Sequence, residues 1–264
     1  MPWDARWPRI GSESPRTPGL TFDSVWRELK SAAEKGPLFS KDFPHYIEHL
    51  WSGEILAHFN HSFLTRDPAK VATSMYRHWP DFVLEEIAVV EQCELFDRLC
   101  DKQGEAPPVI DSDGLLENSH GIVESYCDAI GIPYLEDALS WEPGNRDEVS
   151  WYDGGSWHAN LRGSDGLKPQ PRQYIDISGA PDRVKEIYDT VMPHYQHLYR
   201  HRLAATPLLA GLQQVRRQPL RPMPCTIAVL SGRIRDRDRP VSLSSSRPQS
   251  GLGIPPGTDV SLFI

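Results

Sequence analysis

NHSFLTRDPAKVATSMYRHWP, Asn60 to Pro80, is the stretch whose reading decides the fold. His61 to Thr65 is a short apolar run bounded by polar residues, which predicts a buried strand. Arg66-Asp67-Pro68 then turns the chain, with Asp67 as helix N-cap and Pro68 at the first helical position. Ala69 to His78 follows as a helix with Val71, Ser74, Met75 and His78 on one face. A strand ending in arginine and opening a helix is suited to an anion. Unpaired N–H groups at a helix start carry partial positive charge, and the Arg66 guanidinium can add two parallel donors to a phosphate.

Outward from this unit, strand-like and helix-like segments alternate. Helices are expected over Thr21–Lys35, Pro44–His58, Leu84–Asp101, Ser119–Ile130 and Asp182–Arg202, the last interrupted near Val191 by Pro193. Short strands are expected over Pro37–Lys41 and Pro108–Ile110. Such alternation implies an α/β fold, a parallel sheet covered by helices. Trp141 to Ile177 is rich in Gly, Trp, Pro and Asn and has little period, as functional loops do. Residues 1–20 are expected to be disordered or extended, residues 21–203 to form the α/β domain, and residues 204–264 to be an irregular, disordered tail. From Pro207 onward the chain has no Lys and no Glu.

The chain has 264 residues, a formal net charge of −8 and 24 prolines. That charge disfavours a general nucleic-acid partner while permitting a local basic pocket. No apolar run reaches membrane-spanning length, and the first twenty residues have no apolar signal core. A soluble, cytoplasmic protein with no membrane partner is therefore expected. Cys93, Cys100, Cys127 and Cys225 form no C-x-x-C pair and read as buried reduced thiols. The ten histidines suggest no metal cluster, and no metal is expected.

LTRDPAKVATSMY, around Arg66 and Ser74, resembles the 3'-phosphate-binding segment of the P-loop sulfotransferases, where a serine follows eight residues after the strand-end arginine. The resemblance extends over about Thr21 to Leu203, through YCDAIGIPY, ALSWEPG and PHYQHLYRHRL. It implies a P-loop NTPase-like sulfotransferase architecture. It also implies a nucleotide co-substrate, 3'-phosphoadenosine 5'-phosphosulfate, and transfer of its sulfuryl group to the hydroxyl of a small-molecule acceptor. Arg66 and Ser74 would hold the 3'-phosphate. Lys41 aligns with the family's "K-T-H-x-P" lysine, but Phe43 stands at the histidine position, so His45 or Asp42 is left as base. Gly155 to Gly166 resembles the family's nucleotide-closing segment, which places Trp157, Arg162 and Ser164 near the donor. The family's first strand and its "S-x-P-R-T-G-S-T" loop should precede Thr21. Ser12 to Gly19, SESPRTPG, matches that loop only at Pro15-Arg16-Thr17, with Pro18 in place of the glycine and no strand before it. The expectation is thus a truncated relative with a gap in mid-sheet and weak or absent activity, or a non-catalytic nucleotide-binding remnant of the same fold.

Overall fold

In the computed structural model, the described residues are 21–51, 55–144, 159–169, 176–205 and 225–230. Residues 12–19 and Trp157 fall outside them. The chain divides into two compact units, which are taken separately.

The smaller unit includes helix α1 (Phe22–Ala33) and one helical turn, α7 (Ala159–Arg162). Thr21 caps α1: its hydroxyl accepts the Ser24 N–H, and Ser24 Oγ returns the bond to the Thr21 N–H. Two orphan donors of the helix start are satisfied reciprocally.

The larger unit contains the sheet. Its elements are β1 (Phe39–Asp42), α2 (Pro44–Ile47), β2 (Phe59–Thr65), α3 (Pro68–His78), α4 (Val89–Gln103), β3 (Val109–Asp111), α5 (Ser112–Glu117), α6 (Ser119–Ile130), α8 (Asp182–Arg200) and β4 (Cys225–Leu230). The four strands are all parallel in the order β1-β4-β2-β3. Phe63 and Ser62 are neighbours on β2 and so point to opposite faces. On one face Phe63 meets Phe96 of α4 edge-on, with ring centroids 5.5 Å apart. On the other, Ser62 Oγ lies 3.0 Å from the Tyr126 hydroxyl of α6. Helices therefore cover both faces, as a parallel sheet requires.

A second layer of core joins α3 to α8. Ala72, Phe82, Ile87, Val89, Val184 and Val191 are buried together. The Arg183 guanidinium closes this layer by donating to the carbonyls of Pro80 and Phe82 while lying over the Phe82 ring.

Three expectations are corrected. The segment expected to be helical from Pro44 to His58 is α2, then 3-10 turns at Glu48–Leu50 and Ile55–His58. The helix expected from Leu84 starts at Val89, because Ala88 adopts φ 61°, in the left-handed region, after a 3-10 turn at Leu84–Glu86. Such a conformation costs an alanine roughly 1 kcal/mol, and the burial of Ile87, Ala88 and Val89 offsets it. Helix α8 continues through Pro193 from Asp182 to Arg200. Val191 and Leu198, on either side of the proline, are both fully buried and hold the two halves in place.

The largest correction concerns the C-terminal segment. Part of residues 204–264, expected to be an irregular tail, forms β4 in the middle of the sheet. Thr226 to Val229 pair with Phe39 to Asp42, and Cys225 to Leu230 pair with Phe59 to Leu64. TIAVL is a short run rich in β-branched residues, the composition of a strand buried on both faces. Its proline- and arginine-rich surroundings hide it from a search for longer periods. The gap expected in mid-sheet is thereby filled from the far end of the chain. Proline at Ala228, which is flanked by Lys41 and Ser62 in register, removes a ladder donor in a central strand. Ala228→Pro is expected to lower unfolding free energy by more than about 2 kcal/mol, read by urea denaturation; an unchanged midpoint would remove β4 from the sheet.

His61, on β2, is buried and its Nε2 donates to the Leu56 carbonyl at 2.9 Å, while Nδ1 has no partner among the described residues. Burial lowers its pKa, the Leu56 bond raises it in part, and Lys102 lowers it further. The folded state thus protonates His61 at lower pH than the unfolded chain, which takes up the proton near pH 6.5. The resulting stability is present above about pH 6.5 and is lost as pH falls below it. His61→Gln should flatten the fall in stability between about pH 7 and pH 5 by up to about one proton, measured as denaturant midpoints across that range.

Candidate functional site

In an open parallel sheet, loops at the carboxyl ends of the strands line the ligand crevice. Here that edge gathers Asp42, Thr65-Arg66 and Asp111-Ser112-Asp113, with β4 ending at Leu230 beside Leu64. Thr65 and Asp111 are directly in register.

Arg66 leaves the edge and is exposed, and among the described residues its side chain makes no hydrogen bond or ion pair. The helix start beside it differs from the expected cradle of free N–H groups. Pro68 has no N–H, Asp67 Oδ1 takes that of Ala69 at 2.8 Å, and the Asp67 carbonyl takes those of Lys70 and Val71. The capping carboxylate that ends β2 and starts α3 so well also consumes the donors an anion would use. Anion binding here must come from side chains.

Two side chains on α3 bear on this. Ser74 follows Lys70 by one turn on the same face. Lys70 Nζ is held 2.6 Å from Asp113 Oδ2, with both groups half-buried, which ties α3 to the start of α5. Ser74 is half-buried, and its hydroxyl makes no hydrogen bond among the described residues. Arg66 stands at the strand–helix junction and Ser74 about two turns into α3, and neither side chain makes a hydrogen bond among the described residues. Val71 and Met75 pack against the core cluster that contains Ala72.

Lys41 stands lower in the sheet. Its backbone is level with Ala228 and Ser62. Arg66 lies four residues beyond Ser62, hence about 13 Å further along the strands and about 10 Å across. Lys41 is half-buried, and burial lowers its pKa. His45, a candidate base by the resemblance, is buried at 6% exposure, its ring 5.2 Å from that of Phe43. Asp42 Oδ1 accepts the Phe43 N–H at 2.7 Å, which fixes the turn into α2. Ser164 accepts the Trp141 indole N–H at 3.2 Å. Together with Trp141 N–H to Asp165 O and the Ser140–Gly166 bridge, this bond pins the loop. Gly166, at φ 158°, passes so close that a Cβ would lie 2.8 Å from the Leu139 carbonyl oxygen. Arg162 belongs to the smaller unit, where it ends α7 half-buried.

The structure adds a pair that the sequence left unread, Asp111 and Tyr195. Asp111 is buried; its Oδ2 accepts the Gly114 N–H at 2.9 Å and its Oδ1 accepts the Tyr195 hydroxyl at 3.3 Å. Burial raises the carboxyl pKa, and burial together with Asp111 raises that of the Tyr195 phenol. Both carboxylate oxygens are occupied, so Asp111 fastens α5 and α8 to the end of β3 and is poorly placed as a base. The tyrosine partner of Asp111 lies 84 residues away in sequence. Beneath this edge the buried hydroxyls of Thr65 and Ser112 have no partner among the described residues. Tyr195→Phe leaves the buried carboxylate with one donor fewer and is expected to cost about 1 kcal/mol, read by chemical denaturation.

Comparison with family profiles matches this chain to the sulfotransferase domain over residues 31–199, well over half its length. Comparison with curated proteins and with solved structures returns no match. The matched span begins inside α1, runs through β1, β2, α3 and β3, and ends one residue before the end of α8. This chain, with its helix-covered parallel sheet, belongs to the sulfotransferase family.

Proposed function

We propose that the protein binds 3'-phosphoadenosine 5'-phosphosulfate at the carboxyl edge of its sheet and transfers the sulfuryl group to the hydroxyl of a small-molecule acceptor. The observation that carries this is that the Arg66 guanidinium, exposed after β2, and the Ser74 hydroxyl on the adjoining helix each make no hydrogen bond among the described residues. An arginine at a sheet edge normally finds a carboxylate. Here Asp67 is committed to the cap and Asp113 to Lys70, which leaves the guanidinium for a dianionic ligand such as the ribose-linked 3'-phosphate. Trp157, Arg162 and Ser164 are retained as donor-side residues on the strength of the resemblance alone. Sulfuryl transfer needs charge neutralisation and positioning more than covalent help from the protein. Lys41 is the cation on β1 that serves this purpose. Burial lowers its pKa, and a sulfate group arriving nearby would favour its charged form through an attraction little screened by water. The free thiols of Cys93, Cys100 and Cys127 suit a reducing, cytoplasmic setting.

A second reading is favoured by one feature. With Phe43 where the family carries histidine and His45 buried, no imidazole is presented at the end of β1. The protein would then bind the nucleotide without turnover.

Calorimetry with 3',5'-adenosine bisphosphate tests the shared part of both readings. Arg66→Ala should weaken binding by about 10- to 100-fold, the loss of a charged hydrogen-bonded contact, and Ser74→Ala by several-fold. Binding unaltered by Arg66→Ala would overturn the site. A sulfuryl-transfer assay against a panel of phenols and alcohols then separates the readings: turnover supports the enzyme, and tight binding with no turnover supports the nucleotide-binding protein.

A further inference from the structure

Away from the sheet edge, α4 and α8 bring together Cys93, Asp97 and His197. Cys93 and Asp97 are four residues apart and share a face of α4. His197 projects from α8 some 200° around the helix from Tyr195, away from Asp111 and towards α4. His197 Nε2 is 2.7 Å from Asp97 Oδ1, Cys93 Sγ is 4.0 Å from Asp97 Oδ2, and one ligand atom from each residue lies within 4.8 Å of the others. The cluster is graded from inside to outside: Cys93 is buried, whereas the His197 and Asp97 side chains are 37% and 56% exposed.

We propose that Cys93, Asp97 and His197 form a binding site for a divalent transition metal ion of the zinc class, clamping α4 to α8. Sulfur, imidazole and carboxylate are the ligand types zinc takes, at about 2.3, 2.0 and 2.1 Å. A tetrahedron built on those bonds needs its ligand atoms roughly 3.2–3.8 Å apart, a contraction of about 1 Å from the present spread. Thiolate and carboxylate together neutralise a dication, so the loaded half-buried site carries no net charge. The open side, lined by the exposed edges of Asp97 and His197, admits the ion and leaves the fourth position to water. The exposed His201 ring stands 5.3 Å from that of His197 and 4.9 Å from that of Phe96.

In the metal-free protein the Cys93 thiol is pushed up to about 11, first by burial and then by Asp97 and Glu94, so it holds its proton at neutral pH. Binding replaces that S–H bond with a metal–sulfur bond and releases one proton to solvent. The same thiol is thus inert until the ion arrives. This site is independent of Arg66 and Ser74, and its test uses no nucleotide.

The test is titration of the chelator-treated full chain with Co2+, followed by absorption. Thiolate-to-cobalt charge transfer in the near ultraviolet, with the intense visible bands of a four-coordinate ion, is expected in the wild type and in Cys100→Ser. Added Zn2+ should bleach both features. Cys93→Ser should abolish the charge-transfer band, and His197→Gln should weaken binding at least about tenfold. Zn2+ should raise the Tm of the wild type and leave that of His197→Gln unmoved. A wild-type spectrum that stays that of the hydrated ion, or a charge-transfer band that survives Cys93→Ser, would overturn the proposal.

Discussion

The parallel pairing of Cys225–Leu230 with strands on both sides is the constraint on which the rest of the structure depends. Within the sheet β1 pairs with β4 alone, four residues in register, and β2 pairs with β4 over six. Strand backbone left unpaired inside a helix-covered layer has nowhere to place its N–H and C=O groups, and each such group costs as much as a lost hydrogen bond. Without β4, β1 would have no ladder at all, and Lys41 would have no fixed position relative to Arg66. The segment that closes the sheet is also the most distant in sequence from the strands it joins. Its insertion demands the largest loop closure among the strand pairs of the described residues, an entropic cost that grows only slowly with loop length.

The carboxyl edge shows how strongly local caps limit what a site can do. Asp67 and Asp111 each end a strand and start a helix by accepting backbone N–H groups. Each carboxylate stabilises its helix while occupying the donors that would otherwise receive an anion. Among the described residues, the Arg66 and Ser74 side chains are left out of these capping bonds. Lys70 is held by Asp113 at 2.6 Å. Among the described residues the edge thus carries an unpaired Arg66 guanidinium beside carboxylates already committed to Ala69, Gly114 and Lys70.

Much of this was legible in the sequence, for reasons tied to range. The β2–α3 unit announced itself because strand, cap and helix start are contiguous: an apolar run, then Asp67 and Pro68, then a periodic face. Helix α6 was equally plain, ending at Gly131 with φ 76°. Failures occurred where tertiary contacts override local pattern. The periodicity of Leu84–Asp101 could not show that Ala88 would take a left-handed turn so that Ile87 and Val89 could both be buried. His45 resembled a solvated helix-start residue but packs beside Phe43 in the interior. TIAVL was lost in a low-complexity neighbourhood, because a strand of six residues carries too few positions to register against flanking Pro and Arg.

The two polar clusters on α8 illustrate a deeper limit. Tyr195 and His197 are two residues apart in sequence yet serve opposite sides of the helix, one meeting Asp111 on β3 and the other Asp97 on α4. Their partners lie 84 and 100 residues away, so no spacing rule along the chain could reveal either pair. The helix couples them physically all the same. Leu198, fully buried, fixes the rotation of α8 about its own axis, and a rotation that brought His197 closer to Cys93 would carry Tyr195 away from Asp111. A metal ion drawing the α4–α8 face together would therefore have to act by translation or rotamer change, since the carboxyl edge of β3 holds the helix in register.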